Sequence, residues 1–394
     1  MTKDTVAPED PFEVIRRRVA KKLSGFTSDF PNELDSWNMS SYRPNAKDFP
    51  VPELVLFTMR NLMGWRWHGH GEKVRWSVYG SVGGEPVVFE LRKSGFSIAR
   101  EPSSKIANSR IEGQLKAALQ EVEKFLEPFA DHQVEQGEVL IVNRYAEFEA
   151  RYRFFRNLAE KAYGRADKVP RSSRAKAKVE HHFDDVIGGL KHMMACKREG
   201  FFYSTAMIDS YFSALEHRLV LLRAFTGLPL KSGELKKILG SGWDEKLKLI
   251  LPVTGNYHAE QILGQMRRIK ERIRNPFAHG GIENDGGSLF FHLPHVGAIP
   301  ANFSRFGDSV RFSFIPIEVD DCAESCVVFD KLDGLLSVGH LAGAHKLMDA
   351  GVDPSFDSDT LKQYSDAIAG GAAHLDAFID HWGHQWERHA NMDY

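Results

Sequence analysis

Three residues in one short segment form the most compact set of reactive groups in this chain. Arg274, Asn275 and His279 lie where a basic, apolar-periodic segment meets Pro276 and a glycine pair. His titrates near neutral pH and suits proton transfer. Arg stays charged and can donate two parallel hydrogen bonds, which suits a phosphate. The spacing therefore predicts a small site that binds phosphate and moves protons.

RNA is the substrate that this set of groups fits, because it carries its own nucleophile, a 2′-hydroxyl, beside each phosphate. A catalyst then needs a proton-transfer group and a cation that stabilises charge on the phosphoryl oxygens. In this interpretation His279 is the general acid/base, Arg274 binds the phosphate, and Asn275 binds phosphate or orients the His ring. No metal or other cofactor is required, and the product is a 2′,3′-cyclic phosphate.

The same residues also have a purely structural explanation. Arg and His at a helix end can pair with the last carbonyl groups and the helix dipole, and Asn-Pro and Gly-Gly often separate elements. Pro276 lacks an N–H and disfavours helical geometry at Asn275. The sequence thus allows a break at Asn275 or a kinked final turn capped by Gly280. Both arrangements bring Arg274 and His279 to one bend.

The helical context of this segment resembles a known family. A long apolar stretch at 201–225, with Tyr-Phe-Ser-Ala-Leu-Glu at 211–216, precedes a connector, a helix at 256–274 and one further helix. Together with Arg-Asn-x-x-x-His at 274–279, this order resembles the HEPN superfamily of helical ribonucleases and RNA-binding proteins. The resemblance covers about residues 180–340.

The resemblance implies a metal-independent endoribonuclease with a toxin-like or anti-phage defence role, completed by homodimerisation through the helical domain. It also implies an alternative, because many members are catalytically inactive scaffolds or modules that bind RNA or protein. Toxin members often carry Tyr two residues after the His, where this chain has Gly280-Gly281. Their pairing with a second protein is therefore not carried over to this chain.

Further residues of the region are candidates to support this chemistry. Two acids on the long apolar helix are seven residues apart and fall on one face, where they could orient Arg274 or His279. A surface ion pair is the alternative explanation for them. The predicted helix 256–274, called the motif helix below, also ends in a cluster of cations, which predicts RNA binding. The acids are Asp209 and Glu216, and the cations are Arg267, Arg268, Lys270 and Arg272.

The rest of the chain predicts a mainly α fold with a small N-terminal α+β module. Between Val74 and Arg100 a period of two and tight glycine turns predict a three-stranded antiparallel meander. This module would sense a trigger, hold the activity in check or help to bind RNA. The predicted segments are the α+β module at 1–165, a basic linker at 166–179, a HEPN-like helical bundle at 180–340 with a β-hairpin insertion near 288–317, and a helical extension at 341–394.

Apolar periodicity predicts the positions of the helices. Two aromatic and basic segments could stack unpaired bases or pack their rings into the protein. The first is 65–71, and the second is the helix that carries Arg144, Tyr145, Arg151, Tyr152, Arg153 and Arg156. Helices are predicted at 11–24, 109–130, 135–163, 180–196, 201–225, 232–251, 256–274, 319–337 and within 359–394.

Composition and motifs argue against several classes of protein. A net charge of −2 argues against a general nucleic-acid coat but leaves room for a local basic groove. The first thirty residues lack the apolar core of a signal peptide, and no run of apolar residues is long enough for a membrane span. Three cysteines form no disulfide framework, so we expect a reducing, cytoplasmic location. Metal-site and nucleotide-loop spacings are also missing.

Overall fold

The chain divides into two compact units. Unit 1 is Met1–Val134 with Asp380–Tyr394, and unit 2 is Glu135–Ile379. The sequence predicted a boundary near residue 170. The division falls before the helix Tyr145–Asp167 instead, because this helix packs along the next one in unit 2. The computed structural model describes residues 10–31, 39–168, 179–253, 255–274, 289–303, 310–311 and 317–392.

Unit 1 is built around an antiparallel sheet. The predicted meander is confirmed as β4 Val74–Val82, β5 Glu85–Arg92 and β6 Gly95–Arg100. Three short strands extend it to six, in the order β1-β4-β5-β6-β2, with β3 also paired to β4. Strands of two or three residues have no detectable period, so no sequence pattern predicts them. They are β1 Phe26–Thr27, β2 Ser40–Tyr42 and β3 Arg66–His68.

Helices cover one face of this sheet, and the core of unit 1 is made of side chains from the sheet and from these helices. Alternation along the strands turns Val78, Phe89 and Ile98 inward, and all three are fully buried. Trp65 lies across Gly80, where an added Cβ would be 2.5 Å from the indole ring. This Trp therefore packs into the protein and is not available to stack a base. The helices are α1 Pro11–Lys22, α2 Glu53–Leu56 continued by a π-helical turn Phe57–Leu62, and α3 Asn108–Gln136.

One long helix, α5 (Val179–Phe225), is the centre of unit 2. The sequence predicted two helices, 180–196 and 201–225, and this prediction was wrong because Gly200 remains helical. A Cβ at Gly200 would lie 2.6 Å from the Tyr163 ring, so this glycine permits close packing between helices and does not end one. Helix α4 (Tyr145–Asp167) runs antiparallel to α5, as the contacts Arg144–His217, Tyr152–Tyr211 and Arg165–Glu199 show.

The other elements of unit 2 surround the α4–α5 pair. The predicted helix 232–251 is two helices, because Ser241 between them is extended. The tail is likewise two helices, separated at Gly371, whose φ is +84°. The bounds are α6 Glu234–Gly240, α7 Trp243–Ile250, α8 Tyr257–Ile269 with a π-helical turn Lys270–Arg274, β7 Leu289–Leu293, β8 Gly297–Phe303, β9 Val310–Arg311, α9 Val319–Leu336, α10 Ala342–Asp349, α11 Ser358–Ala369 and α12 Ala372–Asn391.

The protein is thus mainly helical with a small N-terminal sheet. Strands β7, β8 and β9 form a second antiparallel ladder in the region where a hairpin insertion was predicted. Within the described ranges, no helix is both long enough and apolar enough to cross a bilayer.

Candidate functional site

Arg274 lies at the last described position of the motif helix. Asn256 caps the start of α8 by accepting a hydrogen bond from the N–H of Ala259 at 3.2 Å. Buried Met266, Ile269 and Ile273 hold the inner face of α8 and its π-helical turn in the core. The turn continues the helix as far as Arg274. Asn275 and His279, the other two predicted catalytic residues, lie outside the described residues.

The Arg274 side chain is held by an acid and an aromatic ring on α5. Its Nε donates a hydrogen bond to Asp209 Oδ1 at 3.1 Å. The guanidinium carbon lies 5.4 Å from the centre of the Phe212 ring, a cation–π distance. Because the Arg274 side chain is only 25% exposed and Asp209 is 48% exposed, the pair lies at the rim of the helix packing.

A second arginine reaches the same carboxylate from α4. Arg151 Nη2 lies 4.0 Å from Asp209 Oδ2, and the Arg151 side chain is 52% exposed. Among the described residues, two guanidinium groups therefore share one carboxylate, which leaves an excess of one positive charge around Asp209. Such a group of N–H donors can bind a phosphate or another oxyanion.

Asp209, and not Glu216, contacts the motif arginine. Both acids were predicted to support the site, and both lie on the half-exposed face of α5. Within the described part of the chain, Glu216 makes no hydrogen bond or ion pair with Arg274 or with any other residue. No contact among the described residues therefore supports the predicted role of Glu216 as an orienting carboxylate.

The cations of the motif helix have separate surroundings. Arg267 Nη2 donates to Asp244 Oδ2 at 3.1 Å, and Arg267 holds the pKa of that carboxyl below its usual value against the effect of burial. Lys270 Nζ lies 5.9 Å from the Trp243 ring centre. Arg268 is exposed, and the side chain of Arg272 is not among those described. Arg267 and Lys270 are thus partly engaged by neighbours on α7.

The opposite face of α5 carries a buried polar network. Arg218, 3% exposed, donates through Nη1 to Asp333 Oδ1 at 2.7 Å, and the Tyr211 hydroxyl donates to the same oxygen at 3.0 Å. Burial raises the pKa of Asp333, although Arg218 opposes this effect. Burial also raises the pKa of Tyr145, which lines the same small pocket, to about 12. Residues 209 and 211 point about 200° apart on a helix, so this network is separate from Asp209.

Cysteine and histidine do not form a site in the described parts of the chain. Cys322 and Cys326 are buried free thiols on one face of α9, as expected for small apolar side chains. Among the residues described, no group of three or more His, Cys, Asp or Glu side chains is arranged to hold a metal ion.

Arg151 is the contribution that sequence reasoning missed. The sequence placed it only in a basic, aromatic helix of unassigned purpose. The other residues of that segment have different surroundings. Tyr145 and Tyr152 are buried, and Arg144, Arg153 and Arg156 pair with acids near α4. Only the register of α4 against α5 brings Arg151 to Asp209, and no pattern within one helix could predict that register.

Comparison of the chain with protein-family models, with curated proteins and with solved structures gave no match. Function must therefore be argued from this chain's own residues.

Proposed function

We propose that this protein is a metal-independent endoribonuclease of the HEPN type, with its active site at the end of the motif helix in unit 2. The observation that supports this most directly is the Arg274–Asp209 pair. Arg274, the arginine of the Arg-Asn-x-x-x-His segment, is held at a partly exposed rim beside a second cation. A structural arginine needs one acid, whereas two arginines on one acid leave capacity for a phosphate.

The proposed reaction uses the nucleophile already present in RNA. His279 acts as general base and takes the proton of a 2′-hydroxyl, whose oxygen attacks the adjacent phosphorus. Arg274 stabilises the charge that develops on the phosphoryl oxygens, and Asn275 hydrogen-bonds the phosphate or the His ring. The bond to the 5′-oxygen breaks, and that oxygen leaves with the proton that His279 returns as general acid. The products are a 2′,3′-cyclic phosphate and a 5′-hydroxyl end.

The biological role in this proposal is growth arrest through RNA cleavage, as in toxin-like or anti-phage defence. Two copies associate through the helical domain and bring two motifs together, since one Arg and one His make a sparse site. Unit 1 would then sense a trigger, restrain cleavage or bind RNA in a cytoplasmic setting.

A catalytically inactive scaffold that binds RNA or a protein is the second candidate. One observation favours it: Arg274 is held by Asp209 and packed on Phe212, as a structural residue would be. The two candidates differ in activity: an endoribonuclease cleaves RNA, whereas a scaffold does not.

The test is cleavage of total cellular RNA by the purified protein in excess EDTA. We expect the wild type to cleave and to leave cyclic-phosphate ends, whereas His279→Ala and Arg274→Ala lose at least about a hundredfold in rate. His258→Ala is the matched control, because this exposed His lies at the other end of the same helix. Expression of the wild type should also arrest growth, and His279→Ala should relieve the arrest.

Two outcomes would contradict the proposal. Equal cleavage by the wild type and both variants would assign the activity to another site or to a contaminant. Binding of RNA without cleavage by the wild-type protein would favour the scaffold.

A further inference from the structure

We infer that Arg151 and Phe154 of α4 form, with Arg274, a subsite for single-stranded RNA. One phosphate of the strand lies on the two guanidinium groups, and a neighbouring base stacks on the Phe154 ring. The choice of RNA as the ligand rests on the proposed function, whereas the geometry of the subsite rests on described residues alone.

The phosphate position follows from the charges around Asp209. Arg274 Nε contacts one oxygen of this carboxylate at 3.1 Å, and Arg151 Nη2 lies 4.0 Å from the other. The acid therefore holds two cations close together while neutralising only one. Each guanidinium has five N–H donors, so donors remain on both for an incoming oxyanion.

Arg151 differs from the other arginines of α4 in its partner. Arg144, Arg153 and Arg156 each reach a carboxylate that no second cation contacts among the described residues. Arg153, for example, donates both Nε and Nη2 to Glu149. Only at Arg151 is the partner shared with the motif arginine. This difference makes Arg151 a phosphate-binding candidate and makes Arg153 a suitable control on the same helix.

The base position follows from the exposed aromatic residue one turn further along α4. Phe154, which was not among the residues singled out from the sequence, is 59% exposed, whereas Tyr145 and Tyr152 of the same helix are buried. The Phe154 ring makes an edge-on contact with the neighbouring Phe155, at 5.3 Å between ring centres. Three residues advance a helix by about 4.5 Å, so Arg151 and Phe154 are placed to meet adjacent groups of one strand.

The charge along this face favours a nucleic acid over a second protein surface. Continuing from Arg151 and Phe154, the same stripe of α4 carries exposed Lys161 and then Arg165. The chain from 151 to 178 holds ten Lys/Arg against two acids. Base stacking on aromatics beside a basic track is the usual way to bind single strands without regard to sequence.

The test is the affinity for a single strand that cannot be cleaved, so that it does not depend on catalysis. A short 2′-O-methyl oligonucleotide, labelled for fluorescence anisotropy, lacks the nucleophile. We expect Arg151→Ala to weaken binding about tenfold and to reduce the salt dependence by about 0.7 in the log–log slope, the effect of one lost phosphate contact. Phe154→Ala should weaken binding about fivefold or more, and should have no further effect on an abasic strand.

Matched controls distinguish the subsite from general damage. Arg153→Ala removes an arginine from the same helix, and Phe129→Ala removes an equally exposed ring from α3, 59% exposed. Both should bind as the wild type does. Arg151→Lys should bind less tightly than wild type but more tightly than Arg151→Ala. Lys keeps the positive charge but lacks the planar guanidinium that donates two parallel hydrogen bonds.

Three results would overturn the inference. The first is equal losses in the variants and their controls, and the second is a Phe154→Ala effect that persists on the abasic strand. The third is a change in self-association by sedimentation with unchanged RNA affinity, which would make this face a contact between copies. Because the oligonucleotide cannot be cleaved, these binding results can be interpreted even if the protein has no nuclease activity.

Discussion

At the scale of single residues, the shared carboxylate of Asp209 explains how a surface arginine is kept in one orientation. A flexible arginine loses entropy when it binds a phosphate, and a partner that fixes it beforehand lowers that cost. Sequence spacing could place Asp209 and Glu216 on one face of a helix, and this was correct. It could not choose between them, because the choice depends on where α8 crosses α5.

Replacement of Asp209 by Ala should impair catalysis more than folding. Without its carboxylate Arg274 is free to move, and misplacement of about 1 Å can cost about a hundredfold in rate, so we expect kcat to fall at least about tenfold. KM should change little, because the loss of an acid that repels RNA opposes the greater entropic cost of binding phosphate through a freer Arg274. The free energy of unfolding should change by less than about 1 kcal/mol, because the pair is half-exposed. Steady-state cleavage and urea unfolding measure these quantities.

Asp244→Ala is the control for that prediction. Asp244 holds Arg267 at 3.1 Å near the same end of the motif helix, and it has no contact with Arg274 among the described residues. We expect its kcat to match the wild type. An unchanged kcat in Asp209→Ala would show that the pair is only structural.

At the scale of elements, sequence patterns located segments well and failed where tertiary packing decides. Alternation predicted the three-stranded meander between Val74 and Arg100 that forms β4–β6. The predicted break near Gly200 failed because glycine has two uses, ending a helix or letting two helices approach. The Tyr163 ring, whose hydroxyl donates to the carbonyl of Ile317 at 2.8 Å, fills the space above Gly200.

Two glycines of α5 should therefore respond in opposite ways to Ala. Gly200→Ala should lower the free energy of unfolding by about 1–3 kcal/mol, because its Cβ meets a ring that is held in place. Gly188→Ala should raise stability by up to about 1 kcal/mol, since nothing lies within 4 Å and Ala favours a helix. Urea unfolding of both variants is the measurement. Stabilisation by both would mean that the helices do not pack closely at Gly200.

At the scale of the whole molecule, the two units differ in how far sequence could predict them. Unit 1 has one core of alternating apolar residues, which a sequence reveals. In unit 2 the buried Arg218 pairs with Asp333, and partners 115 positions apart in the sequence cannot be paired by any local pattern. The buried Glu90 of unit 1, in contrast, pairs with Arg92, only two positions away. The division at Glu135 and the predicted boundary near residue 170 differ because α4 packs along the helix that follows it.

His217 of unit 2 makes stability depend on pH. Its Nε2 accepts a hydrogen bond from the backbone N–H of Arg144 at 3.0 Å, which requires the neutral ring. Burial and the nearby Arg144 charge lower its pKa below the usual value of 6.5. Between the lowered pKa and about 6.5 the unfolded chain therefore binds more protons, so the free energy of unfolding rises with pH through this window and falls on acidification.

His217→Gln should remove this part of the pH dependence, because Gln can accept the same hydrogen bond but does not titrate. In urea unfolding at about pH 5 and about pH 7.5, we expect the wild type to gain more stability than the variant as pH rises. Burial also lowers the pKa of His345, so part of the slope remains in the variant. His292→Gln, at an exposed position, should retain the full slope. Equal slopes in wild type and His217→Gln would mean that the ring is not held neutral against α4.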